Sequence, residues 1–224
     1  MTYSIVAFDA DTSQWGVAVA SKAMCVGAHV PWGAGAIGAV ATQAYHDLRY
    51  GFEGLQALRD GRRAGDVVDH LTSDDPESVF RQLGVVDRDG RAATFTGSRC
   101  TPWAGGLSGE SWATQGNILA GPHVVEAIAA AYVDSTGPFA ERLMLALLAG
   151  DESGGDRRGR QSAAIKVWTP PVVADGDRRD VTLFLRIDDA ILPVHDLLRL
   201  VRRAISEPHR LGLSPSFDPT RNSA

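Results

Sequence analysis

The first 22 residues, MTYSIVAFDADTSQWGVAVASK (Met1–Lys22), carry two apolar runs, Tyr3–Phe8 and Gly16–Ala20, on either side of a turn-forming stretch, Asp9–Ser13. Both runs are short and rich in β-branched residues, so the segment reads as a β-hairpin. Neither run alternates apolar with polar residues. Continuous apolar strands belong in a sheet covered on both faces, and this places the opening hairpin in a covered sheet of a layered α+β fold.

The rest of the chain extends that reading. Ala36–Thr42 is a third strand of the same kind, and helical patterns follow over 51–60 and 65–72. Asp75-Pro76-Glu77 has the form of a helix start: a capping carboxylate, a proline at the first position and an acid in the first turn. LGVVD and RAATFTG flank Asp89-Gly90, a hairpin signature. A strand is expected over 111–117. Helices open at Pro122 and Pro138, each with an apolar stripe at helical spacing. A hairpin over 161–169 and 181–187 precedes a last amphipathic helix, 193–205. Strands and helices come in clusters, which fits two packed sheets flanked by helices better than strict βαβ alternation. Residues 1–205 form one domain on this reading, and the proline-bearing tail, 206–224, is expected to be loosely attached.

Composition narrows the function. A chain of 224 residues suits one compact domain, and a net charge of −5 with scattered basic residues argues against nucleic acid or a membrane surface as partner. The N-terminus lacks the basic and apolar regions of a signal peptide, and no apolar run approaches the ~18 residues of a membrane span. Cys25 and Cys100 alone make no disulfide framework, so a cytoplasmic protein is expected. The six histidines have no zinc spacing, and no metal is expected. Gly33–Gly38 spells G-x-G-x-x-G, but Pro31-Trp32 precede it and a strand-like run follows. It reads as a glycine-rich turn entering a strand, and no cofactor is expected. The partner that remains is a small-molecule substrate or ligand; a homo-oligomer stays open.

Candidate chemistry gathers at strand ends. A threonine that is itself N-terminal can use its own α-amine, of pKa ~8, as base for its hydroxyl. Thr2 would be such a residue once Met1 is trimmed, and it stands at the start of the first strand. Ser21 and Lys22 end the second strand, where they can sit beside Thr2; with Thr2 they are the catalytic candidates. Gln43 ends the third. Gln115 and Asn117 surround Gly116 at another strand end, as oxyanion donors or as an amide ladder. In the glycine-rich segment Gly154–Ala164 the binding candidates are Asp156, Arg158 and Arg160: either the arginines hold a substrate carboxylate, or Asp156 pairs with its own arginines. Cys100-Thr101-Pro102-Trp103 is a further pocket-lining stretch.

The opening hairpin is similar to that of proteasome-type N-terminal-nucleophile subunits. A longer match is carried by WGVAVASKAMCVGAHVPW, GAVATQA, YGFEGLQAL, RQLGVVD, PWAG, TQGNILAGP, GGDRRGRQSAA and RIDD…LLRL. Together these resemble the bacterial domain-of-unknown-function family 1028. The resemblance implies an N-terminal-nucleophile-hydrolase-like αββα sandwich and brings no substrate. Proteasome-type sites add an acid on the second strand and a lysine further on; here GVAVA has no acid, and Lys22 or an arginine of the loop is the replacement to consider. The leading expectation is an amidohydrolase acting on a small amide or peptide, and the alternative is a non-catalytic ligand-binding or regulatory protein on the same fold.

Overall fold

The structure, a computed structural model, describes residues 2–174 and 177–207. Among them are ten strands and five α-helices. The opening hairpin forms as expected: β1 (Thr2–Asp9) and β2 (Gln14–Ser21) pair antiparallel from Thr2–Ser21 to Asp9–Gln14. They occupy the middle of a six-stranded antiparallel sheet. On the β2 side lie β9 (Ser162–Ala174) and then β10 (Asp177–Ile187); on the β1 side lie β8 (Trp112–Asn117) and then β7 (Gly105–Gly109). A second antiparallel sheet holds β3 (Pro31–Ala34), β4 (Gly38–Ala44), β5 (Arg81–Asp87) and β6 (Ala92–Thr96) in that order.

The absence of alternation in β1 and β2 now has its cause. Tyr3, Ile5, Ala7, Ala18 and Ala20 pack against helices, whereas Val6, Trp15, Val17 and Val19 pack toward the second sheet with Val26, Ala39, Ala41 and Val86. On the outer side of the six-stranded sheet lie α3 (His123–Asp134), α4 (Phe139–Glu152) and α5 (Pro193–Ser206), contributing Ile128, Leu143, Met144, Leu147 and Leu197. The second sheet is covered by α1 (Leu48–Arg59) and α2 (Ala64–Ser73), with Leu58, Val67 and Leu71 against Val40, Leu83 and Val85. Each of these buried aliphatic side chains contributes about 1.5–3 kcal/mol relative to exposure, so the central hairpin gains from both faces.

Several element boundaries differ from expectation for local reasons. Helix α1 starts at Leu48, because Asp47 caps it by accepting from the Arg49 amide at 2.9 Å. Asp75-Pro76-Glu77 heads only a 3-10 turn, Ser78–Phe80. Asp75 does accept from the Glu77 amide, but its other oxygen is taken by Tyr50 and Arg81, and the chain enters β5 at Arg81. Helix α4 runs on to Glu152, so the loop expected over 151–160 starts two residues later. Strands β3 and β7 lie at sheet edges and contain too little apolar sequence to announce themselves. Residues 208–224 of the expected tail lie outside the described residues.

The G-x-G-x-x-G stretch spans the end of β3 and its turn into β4. There the backbone of Gly35 lies so close to the Thr169 carbonyl that a Cβ at this position would overlap it. The Gly35 amide also donates to Asp180 at 3.2 Å, which fastens the turn to the edge of the larger sheet. The obstacle is backbone, so it cannot rotate away. Gly35→Ala is therefore expected to destabilise the fold by about 1–3 kcal/mol, read as a lower denaturant midpoint at unchanged slope.

Candidate functional site

One end of the molecule collects the start of β1 and the ends of β2, β4 and β8. Along β1 the side-chain period is two: Tyr3 and Ile5 face the helices, and Thr2, Ser4 and Val6 face the space between the sheets. Thr2 pairs across the sheet with Ser21 on one side and Asn117 on the other. Side chains opposed in this way on one face stand about 4.5–5.5 Å apart at Cβ. The Thr2 and Ser21 hydroxyls are 3.1 Å apart and hydrogen-bonded, and Thr2 keeps 7% of its surface exposed. A hydroxyl pair thus sits at the mouth of the inter-sheet space, with an amide beside it.

Below this pair lies a buried network of amides. The Gln43 Nε2 amide donates to the Thr2 carbonyl at 3.3 Å, to Gln82 Oε1 at 2.9 Å and to the Gln115 carbonyl at 3.3 Å. Its own Oε1 accepts from Ser4 Oγ at 2.7 Å, and that hydroxyl accepts from Gln115 Nε2 at 2.6 Å. Asn117 Nδ2 donates to Gln82 Oε1 at 2.8 Å, while Gln82 Nε2 reaches the Gly116 carbonyl and Thr96 Oγ1. Gln43, Gln82, Gln115 and Asn117 are all fully or almost fully buried. Gly84 makes room for the Gln115 side chain, since a Cβ there would overlap Gln115 Oε1.

The helix-facing side of the same sheet end is built differently. Tyr3 donates its hydroxyl to Asp151 Oδ1 at 2.8 Å, and Arg160 Nε donates to both oxygens of that carboxylate at 2.9 and 2.7 Å. Burial, followed by the neighbouring Asp151 charge, holds the Tyr3 hydroxyl protonated well above its ordinary range. Asp156 crosses the end of the sheet. It bridges to Leu119 through the backbone, accepts from the Lys22 amide at 2.8 Å, and accepts from the Arg158 amide and guanidinium. The Lys22 ammonium donates to the Arg160 carbonyl at 3.2 Å. A cleft of about 640 Å³ opens here, lined by Lys22, Glu152, Asp156, Arg160, Asp189 and Ile191 among others.

The sequence-predicted residues thus divide between two faces. Thr2, Ser21, Gln43, Gln115 and Asn117 share the inter-sheet side, where only Ser21 touches the Thr2 hydroxyl among the described residues. The Lys22 side chain, Arg158 and Arg160 lie with the loop on the other side, and no hydrogen bond joins the Lys22 ammonium to Thr2. Arg157 donates to the Pro102 carbonyl at 2.8 Å, tying the loop to the Cys100–Trp103 stretch. Cys100 is buried against the Arg81 carbonyl, and burial pushes its thiol pKa up. Ser4, Gln82, Asp151 and Tyr3 were missed. Gln82 had a visible signal, a long polar side chain inside the apolar strand RQLGVVD; Asp151 had none, because it reads as the first residue of a charged, glycine-rich loop, 151–160.

The family model described as "Family of unknown function (DUF1028)" matches residues 2–197. Among solved structures, the chain is similar to the crystal structure of a DUF1028 protein from Silicibacter pomeroyi. The two are 37% identical with a TM-score of 0.82, over 91% of this chain and 85% of the other. No curated protein matches the chain.

Two measurements follow from these contacts. Gln43→Leu strips partners from Ser4, Gln82 and two backbone carbonyls, all buried. An expected cost of about 2–4 kcal/mol follows from leaving such groups unpaired, read by chemical denaturation. A raised phenol pKa in the folded state contributes stability that is present below the ordinary value of 10.0 and is lost as pH rises above it. Stability should therefore fall above about pH 10, and Tyr3→Phe should make that fall shallower in denaturation curves taken across the range.

Proposed function

The chain belongs to the DUF1028 family, and on that premise we propose that it is an amidohydrolase of the N-terminal-nucleophile type. On this reading the two facing sheets and their outer helices are a four-layer αββα sandwich, and Thr2 is the nucleophile after removal of Met1. The observation that carries the proposal is the setting of the Thr2 hydroxyl. It stands at the first position of a central strand, at the mouth of the inter-sheet space, 3.1 Å from Ser21 Oγ and beside Asn117.

The chemistry then runs on the chain's own groups. The Thr2 α-amine, about half neutral near pH 8, accepts the Oγ proton while Oγ bonds to the carbonyl carbon of a small amide. Ser21 orients the hydroxyl and can relay that proton. Asn117 uses one amide hydrogen on Gln82, and its second is the donor for the developing oxyanion. Collapse of the tetrahedral adduct breaks the C–N bond, and the α-ammonium returns the proton to the leaving amine. Water, deprotonated by the same amine, then cleaves the Thr2 ester to give the free acid and restore the hydroxyl. Asp156 takes the Lys22 amide, one step beyond the Thr2–Ser21 pair in the ladder. That carboxylate is the group we assign to hold the α-ammonium.

Lys22 has no part in this scheme, since its side chain lies with the loop on the helix-facing side, its ammonium on the Arg160 carbonyl, while the Thr2 hydroxyl faces the inter-sheet space. A ligand-binding protein on the same fold is the second reading, favoured by the cleft on the opposite side of the sheet end. The two readings separate in one experiment. Active protein should lack Met1 by intact mass. A panel of acyl and aminoacyl anilides should be hydrolysed with a loss of about 10³-fold or more in Thr2→Ala, and Ser21→Ala should lose about 10²-fold. Full activity in protein that retains Met1, or in Thr2→Ala, would overturn the mechanism.

A further inference from the structure

The cleft on the helix-facing side of the sheet end has walls of opposite charge. Its lining carries two cations, Lys22 and Arg160, and four acids, Asp151, Glu152, Asp156 and Asp189. Most of that charge is already used. Arg160 and Tyr3 hold Asp151, while the Lys22 amide and Arg158 hold Asp156. What remains is unequal in position as well as sign. Among the described residues the Lys22 ammonium meets only a carbonyl oxygen, Arg160 O, and so retains two N–H donors. Opposite in charge are Glu152, which lies within electrostatic reach of Arg160 but makes no hydrogen bond or ion pair among the described residues, and Asp189, which accepts one hydrogen bond from Gln161 at 3.2 Å and pairs with no cation among them.

The elements that present these groups are distinct. Lys22 follows the end of β2, and Glu152 is the last residue of α4. Asp189 belongs to the connection between β10 and α5, which the Ala190 amide anchors to the Gln161 carbonyl at 2.8 Å. A positive group is favoured near the carboxyl end of a helix, which adds to the attraction of Glu152 for a cation. The same connection supplies an apolar wall, Ala190 and Ile191, and Ile191 is 88% exposed. Within the cleft, Ile191 gives an apolar face on which a ligand's side chain can be buried.

We propose that this cleft binds a free α-amino acid with an apolar side chain, its carboxylate on Lys22, its ammonium on Glu152 and Asp189, and its side chain on Ile191. At about 640 Å³ the cleft has room for such a molecule with water. The proposed contacts are distinct from the hydrolytic ones: the Thr2 hydroxyl faces the inter-sheet space, neither Thr2 nor Ser21 lines the cleft, and Asp156, which does line it, makes none of the proposed contacts to the amino acid.

The test uses L-leucine, L-leucinamide and N-acetyl-L-leucine as probes in calorimetric titrations of the full chain. Leucine should bind saturably, and each blocked analogue should bind about tenfold or more weakly. Lys22→Met should lower affinity for leucine and leave leucinamide unaffected, whereas Glu152→Gln should lower affinity for leucine and leave N-acetyl-leucine unaffected. Thr2→Ala should bind leucine like the wild type, so failure of the nucleophile reading and failure of this one are separate results. Absence of saturable leucine binding overturns the proposal. Equal binding of leucinamide points to a peptide N-terminus, equal binding of N-acetyl-leucine to a peptide C-terminus or simple acid, and either result overturns it as well.

Discussion

The position of every group at the open end depends on the amide network buried between the two sheets. Apolar contacts between facing sheets are non-directional, so Val17, Val19 and Val86 would tolerate a small slide of one sheet past the other. Gln43 would not. Its amide touches β1, β5 and β8 at once, and Gln82 returns contacts to β8 and receives Asn117. An amide displaced from these partners has no water to replace them, and a fully satisfied network is stronger than its separate bonds. The carbonyl of Thr2 is one of the partners, so the network that aligns the sheets also fixes the start of β1.

Much of this fold was legible because its strongest signals are local. The central hairpin follows from two apolar runs around Asp9–Ser13, and the lack of alternation in both already required covering layers on each face. Helices α3 and α4 declare themselves by proline starts and apolar stripes. The misreadings share a cause in tertiary contacts. Asp75 does accept from the Glu77 amide just before the 3-10 turn, but Tyr50 and Arg81 share the same carboxylate and the chain leaves at once into β5. Strand β7 reads Gly-Gly-Leu-Ser-Gly and is held by its pairing with β8, which no propensity announces.

The candidate residues were legible as a neighbourhood and not as an arrangement. Ser21 and Lys22 are adjacent in sequence, and both sit at the end of β2. Successive side chains of a strand point to opposite faces, so the residue beside Thr2 and the residue lining the cleft are consecutive. Sequence spacing gave their proximity to the sheet end, but the face that each would serve depends on where the ladder stops. Asp151 enters from α4, more than a hundred residues away, and its role beside Tyr3 exists only in the folded chain.

The glycine- and arginine-rich loop explains how the two faces are held together. Its arginines are engaged with the protein itself: Arg157 reaches the Pro102 carbonyl, Arg158 reaches Asp156, and Arg160 reaches Asp151. Their number therefore serves first to fasten a loop that its glycines make pliable. Gly155, at φ +43°, lies so that a Cβ would stand 3.4 Å from the Tyr3 ring. Tyr3 and Arg160 share the Asp151 carboxylate, while Asp156 spans from Leu119 to the Lys22 amide. A displacement of this loop must therefore disturb the residue after Thr2 and the residue after Ser21 together. The inter-sheet mouth and the cleft have different chemistry and open on different sides, yet they are anchored by the same two buried aspartates.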